Sequence, residues 1–495
     1  MSRINTNIQS LVAQRVLVHQ TNELNTSLYR LSTGYRINTG KDDPAGLIAS
    51  ENLRAEKTAI QSALTNITRA NNVVASAEGG LVEINKLLLE LEDLVDRSAN
   101  EAGISVDERD ANQLQIDTIL DSINRIANST EFQGRKLLSG DLGYTTSGVV
   151  TASNYFQNVT INAAKIPNGG FRTVTVQVTG SANLAELTFA GTEIVGTGSG
   201  NSVTFQVTGA LGTEVLTFGS GTSLSEVQTA INQSTGLTGV SATISADSSG
   251  LRINSTQYGS SQFVRVKVLD NGGTNFESNL SMGDQGDHVD AGRDASVKIN
   301  GVQAITDGLQ ASMRTQALSV DITLTAEFGT LGNDPVTATA LNQYRAFDIT
   351  GGGADFMISP TAELAGLASL GIQAVDTGSL GDGQWGFLSS IATGQTNSLS
   401  SGNYSTAQTI LRAAQSYVAQ LRGRLGAFQK DTLETTANSL QVTLENTAAA
   451  ESVIRDTDFA SETSALTRAQ ILQQSATNVL RLANAAPQNA LNLLG

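Results

Sequence analysis

The sequence predicts an α+β multidomain protein whose end helices pair with each other around an inserted β-rich centre. Three observations carry this. Apolar residues recur at helical spacing toward both termini. Residues 141–400 hold 36 of the 48 glycines in the 495-residue chain, about twice the usual share of roughly 7%. The same segment supplies −12 of the net charge of −16. Glycine-rich turns between short alternating runs read as strands. The nearly neutral arms read as surfaces that pack.

Composition excludes several kinds of chemistry. With no cysteine there is no disulfide framework, thiolate metal site or cysteine nucleophile. His19 and His288 are the only histidines, so the sequence predicts no catalytic, cofactor-binding or metal residues. The acidic balance argues against nucleic acid and anionic membranes. No apolar run approaches the roughly 20 residues of a membrane helix, and the opening residues lack the apolar stretch of a cleavable secretory signal.

The first arm opens with a helical stripe of Ile4, Ile8, Leu11, Val18, Leu24, Leu28 and Leu31. A polar, glycine-containing connector follows from Ser32. Asp43-Pro44 then reads as an N-cap with proline at the first helical position. Ile60, Ile67, Val74, Leu81, Leu88 and Val95 recur every seven residues, and Ala63, Ala70, Ala77, Ile84 and Leu91 sit three positions later. That is an a/d coiled-coil seam with small residues in its first half. A further helix starts at a capping box of Ser105 and Glu108, with Ile116, Leu120, Ile123 and Ala127 as its stripe.

In the centre, Val174–Gly180 is repeated by Val203–Gly209, and Leu187-Thr188-Phe189 by Leu216-Thr217-Phe218, which predicts duplicated hairpins. A capped helix is expected over Ser223–Asn232, with strands at Val240–Ser245, Leu251–Ser255 and Phe263–Leu269. A separate small β/α unit is expected over 285–345, and a hairpin over Phe347–Pro360 turning at Gly351-Gly352-Gly353. The last arm begins at an expected capping box of Ser405 and Gln408. Its stripe is Ala407, Leu411, Ala414, Val418, Leu421, Leu425 and Phe428, running on through Leu433, Leu440 and Leu444. It lapses at Arg455–Asp458. A final helix carries Ala469, Leu472, Ala476, Val479, Ala483, Ala490, Leu491 and Leu494. Both arms thus run in the same order from the chain end inward: terminal helix, break, longer helix.

Motifs at both ends resemble bacterial flagellins, the subunits of the flagellar filament. They are Asn5-Thr6-Asn7, Leu31-Ser32-Thr33-Gly34-Tyr35-Arg36-Ile37-Asn38, Lys41-Asp42-Asp43-Pro44-Ala45-Gly46-Leu47, Phe132-Gln133-Gly134 before Lys136-Leu137-Leu138, and Arg468-Ala469-Gln470-Ile471-Leu472-Gln473-Gln474. Thr222–Leu269 resembles the small "IN" module of flagellins and hook-associated proteins. The resemblance implies a division into 1–40 and 456–495 as the inner D0 helices, and 41–140 and 401–455 as the D1 helices. Residues 141–344 become variable outer domains, with the IN-like module at about 200–272, and 345–400 a D1-associated hairpin and connector.

The resemblance further implies a homopolymer with the terminal helices as its inner wall, and uncleaved export to the cell exterior through the flagellar type III apparatus. A chaperone on the C-terminal helix and contacts with filament cap and hook-associated proteins follow from it. The metalloprotease motif inserted in some family members is missing, because His19 precedes Gln20 and His288 precedes Val289. The patch that a Toll-like receptor reads in the family falls on Leu88, Glu90, Glu92, Asp93 and Leu94. Glutamates replace arginines there, which implies weak recognition. Two other readings are a hook–filament junction protein and a filament subunit whose outer domains act as an adhesin.

Overall fold

The computed structural model describes residues 6–492 apart from 150–154, 168–169, 196–200, 246–249, 273–275, 282, 285–286, 316, 331–343 and 383–384. The side chains of 283–284, 382 and 486–492 are also not described. Among the described residues the α-helices are α1 (Ile8–Thr33), α2 (Pro44–Ser98), α3 (Val106–Ser129), α4 (Leu224–Gln233), α5 (Thr235–Thr238), α6 (Ala326–Gly329), α7 (Tyr404–Ala427), α8 (Thr435–Arg455) and α9 (Phe459–Asn492). The chain divides into two compact units. One holds residues 1–71, 357–366 and 429–495, and the other holds 72–356 and 367–428.

In the first unit, α1 and α9 run antiparallel. The Asn7 amide donates to the Ala483 carbonyl at 2.7 Å, Ser10 Oγ to Asn484 Oδ1 at 2.6 Å, and Arg30 faces Glu462 at 3.7 Å. Asn7 also caps α1 by accepting from Ser10 N. The helix stops at Gly34, whose φ of +78° is a left-handed conformation that glycine adopts without strain. The connectors after α1 and before α9 pair with each other. Arg36 N donates to Arg455 O at 2.7 Å, Thr457 N to Gly34 O at 2.9 Å, and the Arg455 guanidinium lies 4.8 Å over the Tyr35 ring. The lapse expected at Arg455–Asp458 is therefore a tied corner. The first part of α2 and α8 are bridged by Arg455–Glu51 at 2.9 Å and by Lys57–Glu451. Asp43 accepts from Gly46 N at 2.9 Å, giving the expected cap for Pro44.

In the second unit, the rest of α2, with α3 and α7, forms a helical core. Val74, Leu81, Leu88, Val95, Ile116, Leu120, Ile123, Leu411, Val418, Leu421 and Leu425 are all buried in it. Glu78–Arg422 at 2.8 Å, Gln415–Glu92 at 2.8 Å and Gln408–Asp96 at 3.0 Å flank the seam. Ser105 caps α3 by accepting from Glu108 N. A two-residue hairpin joins Glu131–Phe132 to Arg135–Lys136. Gln133 at φ +51° and Gly134 at φ +79° match the primed turn that suits strand twist.

Two β cores complete this unit. One lies between a five-stranded sheet (order 302–303, 296–299, 172–180, 344–352, 144–147) and a four-stranded sheet (order 305–307, 310–314, 318–324, 156–164). The other joins a five-stranded sheet (order 283–284, 287–291, 263–270, 202–208, 213–219), a three-stranded sheet (order 186–190, 250–255, 240–244) and α4. The full capping box of Ser223 and Glu226 starts α4. Val264 and Val266 point inward and Arg265 and Lys267 outward, as alternation requires.

Five expectations need correction. Only the second repeat is a hairpin. Ser202–Thr208 pairs with Thr213–Gly219, but Arg172–Gly180 and Glu186–Ala190 enter different sheets. Alternation specifies a strand's faces and leaves its partner to tertiary context. Strands between 296 and 324 complete the sheet pair begun by 156–180, so 285–345 is not a separate unit. The boundary placed at 344/345 falls inside the strand Tyr344–Gly352. The chain does turn at Gly352-Gly353, but the strand before it pairs with Arg172–Gly180 and the strand after it with Leu367–Leu370. Finally, α7 has Asn403 at its N-cap, which puts Ser405 inside the first turn and frees Gln408 for Asp96.

Candidate assembly surface

Small residues hold α1 and α9 together. Ser10, Ala13 and Ser27 on α1 are buried, as are Ala469, Ala476 and Ala483 on α9. The alanines recur every seven residues, the interval that keeps one face toward a partner helix. Small side chains permit close approach but bury little apolar area. The large apolar residues predicted to form the stripe face elsewhere. Ile8, Leu11, Val18 and Leu28 are exposed, Val18 at 60%, while Leu24 and Leu31 are half-buried. On α9, Leu472 and Val479 are exposed, as is Leu482 at 71%. Ile4 and Leu494 lie outside the described residues, as do the side chains of Ala490 and Leu491.

These exposed groups are organised. Ile8, Val12 and Val16, at i, i+4 and i+8, line an apolar groove with Leu472, Val479 and Leu482. Leu11 and Val18, seven apart, are exposed outside that groove. Contiguous apolar surface of this kind marks interaction sites. Val12, Val16 and Leu482 were missed in the sequence because one stripe per helix was sought where the helices carry more than one apolar face. Ser10 and Ser27 were missed because serine contributes no hydrophobic signal. The longer-helix seam is different. Ile60 and Ile67 in the first unit are buried, as are all the predicted seam residues of α2 and α7 in the second, and Phe428 is partly buried.

The acidic patch on α2 is partly core. Leu88 and Leu94 are buried. Glu90 accepts from Gln115 at 3.0 Å, Glu92 accepts from Gln415 and faces Arg412 at 3.5 Å, and Asp93 pairs with Arg97 at 2.7 Å. Among the described residues no helix is long and apolar enough to cross a membrane, and no group of three or more His, Cys, Asp or Glu could hold a metal.

End helices that pair through alanines and turn their larger apolar side chains outward define a self-assembling structural subunit. Profiles of the bacterial flagellin N-terminal helical region match residues 4–142 and of the C-terminal helical region residues 407–494, and the flagellin hook IN motif matches 202–257. The chain belongs to the bacterial flagellin family, and it is a structural subunit of the flagellar filament. It is 27% identical to polar flagellin F of Vibrio parahaemolyticus over 492 residues and 29% identical to flagellin D of Vibrio cholerae over 492 residues. Each alignment covers 99% of both chains. Flagellin B of Helicobacter pylori is 27% identical over 518 residues, again with 99% of both covered. Among solved structures, flagellar hook associated protein-3 of Legionella pneumophila aligns with a TM-score of 0.28 at 12% identity, covering 81% of this chain and 97% of that one.

Proposed function

We propose that α1 and α9 become stably folded only when subunits assemble, and that their outward apolar faces are the contacts between subunits. The carrying observation is the division of labour on these helices: alanines and serines between them, Ile8, Val12, Val16, Leu472, Val479 and Leu482 left open. Ordering costs about 1–2 kcal/mol per residue. Burying a Val- or Leu-sized side chain contributes roughly 1.5–3 kcal/mol. A pair joined by small residues recovers little of the cost alone, and several neighbouring subunits recover much more. In this reading 1–40 and 456–495 make the inner layer, 41–140 and 401–455 the layer around it, and the β-rich centre decorates the filament. An export chaperone shields the C-terminal helix before uncleaved export through the flagellar type III apparatus, and the cap and hook-associated proteins engage the same ends. The chain lacking Arg468–Gly495 should keep the cooperative melt of its remaining core and fail to extend filament seeds in electron micrographs. Normal filaments from it overturn the reading.

The acidic patch supports a second, narrower proposal. Glu90 and Glu92 present carboxylates where arginines would donate, with Leu88 and Leu94 withdrawn into the core. Purified monomer should activate a Toll-like receptor reporter weakly, and full potency refutes this.

A further inference from the structure

A second concavity lies in the larger unit, between α7 and the four-stranded sheet. Its volume is about 670 Å³, within the usual range for small-ligand sites. Unlike the apolar groove it is lined mainly by amide, hydroxyl and charged side chains, among them Thr160, Asn162, Arg314, Asp321, Gln420 and Arg424. Arg314 is engaged: it pairs with Asp321 at 2.7 Å and donates to the Val320 carbonyl at 3.2 Å. Asp321 also accepts from the Asn162 amide at 2.7 Å.

Arg424 is not engaged. Among the described residues this half-buried guanidinium has neither an ion pair nor a hydrogen bond. Burial lowers its basicity against the pull of Tyr417 and Asp321, and Arg314 adds to that lowering. A guanidinium presents a planar fork of donors that matches a carboxylate.

The sheet side adds an independent sign. Asn162 is the extra residue of a β-bulge. Ile161 pairs with Val320 and Ala163 with Ser319, and no partner position remains for the residue between them. Bulges re-aim side chains and occur beside functional sites. Asn162 is 5% exposed, it lines the cleft, and among the described residues its Oδ1 has no hydrogen-bond donor. The bond from its amide nitrogen to Asp321 fixes which way the amide points.

We propose that this cleft binds a small hydroxylated carboxylate of acidic-sugar chemistry, with Arg424 taking the carboxylate and the amide and hydroxyl lining taking the sugar hydroxyls. Charge selects the class. Arg314 and Asp321 neutralise each other and Asp307 adds a negative charge to the lining, so the unpaired Arg424 fork suits a single carboxylate better than a dianion. A phosphate dianion would face Asp321 within and Asp307 on the lining. An apolar ligand would leave the polar walls unsatisfied.

The test titrates full-length, unpolymerised protein with glucuronate and N-acetylneuraminate, with glucose as the neutral control, by ligand-observed NMR at low salt. Both acidic sugars should bind and glucose should not. Arg424→Gln should weaken binding by about tenfold or more, and Arg424→Lys should retain part of it. Far-UV circular dichroism must show both variants folded as the parent. Absence of binding by either acidic sugar at tens of millimolar overturns the proposal, as does equal binding of glucose or undiminished binding by folded Arg424→Gln. If the sugars do not bind but Arg424→Gln blocks filament extension, the cleft receives an acidic side chain of a second copy and the proposal is wrong. Because the titration uses monomer, its failure leaves the filament reading untouched.

Discussion

Aliphatic side chains do opposite work at different positions in this chain. Leu88 is fully enclosed in the helical core of the second unit, whereas Val18 stands in solvent on α1. Leu88→Ala removes buried atoms and leaves a cavity, which costs roughly 2–5 kcal/mol. Val18→Ser changes a surface residue with few contacts in the isolated chain, and such changes stay within about 0.5 kcal/mol. Denaturant melts of the monomer should therefore detect the first and miss the second. Filament growth should reverse the order of interest: Val18→Ser should raise the concentration needed for seeded extension although its monomer is as stable as the parent. Equal critical concentrations for Val18→Ser and the parent would place Val18 outside any subunit contact.

At the scale of elements, the helix that closes the chain's long coiled segment contains a correction to its own repeat. Leu411, Val418 and Leu425 recur every seven residues, and the next buried position is Leu433, eight later. An α-helix would carry that extra residue by rotating its later face about 100° away. The chain instead forms a π-helical turn over Phe428–Glu434, the geometry that absorbs an extra residue within an α-helix. Deleting Gln429 should convert the turn to plain α-helix with the faces on either side still in phase. Deleting Gln415, between Ala414 and Val418, should rotate the seam out of register. The second deletion should lower the monomer's melting temperature much further than the first, and similar losses for both would refute this account of the turn. The sequence made the long helices and most strands legible because periodic burial writes itself into residue spacing. It hid what spacing does not encode. The two copies of the Val-Thr-x-Gln-Val-Thr-Gly repeat have the same faces but different partners. On α1 most of the conspicuous stripe was the outward face, while the contact with α9 used Ser10, Ala13 and Ser27, residues with little hydropathy to read. On α9 the predicted Ala469, Ala476 and Ala483 are the buried ones, and of the described stripe only Leu472 and Val479 face out. The polar cleft at Arg424 was illegible because its walls come from α7 and from strands far earlier in the chain.

For the whole molecule, charge and apolar surface are separated along the chain, and assembly must reconcile them. The arms are nearly neutral and tie their acids to bases across helices, as in Lys57–Glu451 of one unit and Glu78–Arg422 of the other. Residues 141–400 carry −12 with far fewer compensating bases. In the proposed assembly, polymerisation concentrates those like charges while the terminal helices gain apolar contact. Salt acts on the two terms differently. The screening length falls from about 30 Å at 0.01 M to about 8 Å at 0.15 M, which weakens repulsion between neighbouring centres. Apolar contact is not screened, and sulfate strengthens it by exclusion from the surface. The critical concentration for seeded extension should therefore fall as sodium chloride rises over that interval, and fall further in sodium sulfate at matched ionic strength. Monomer melts, governed by cores that are already closed, should move less in sodium chloride. If added salt dissolves filaments instead, the contacts between subunits are ion pairs, and the exposed leucines and valines of α1 and α9 do not drive assembly.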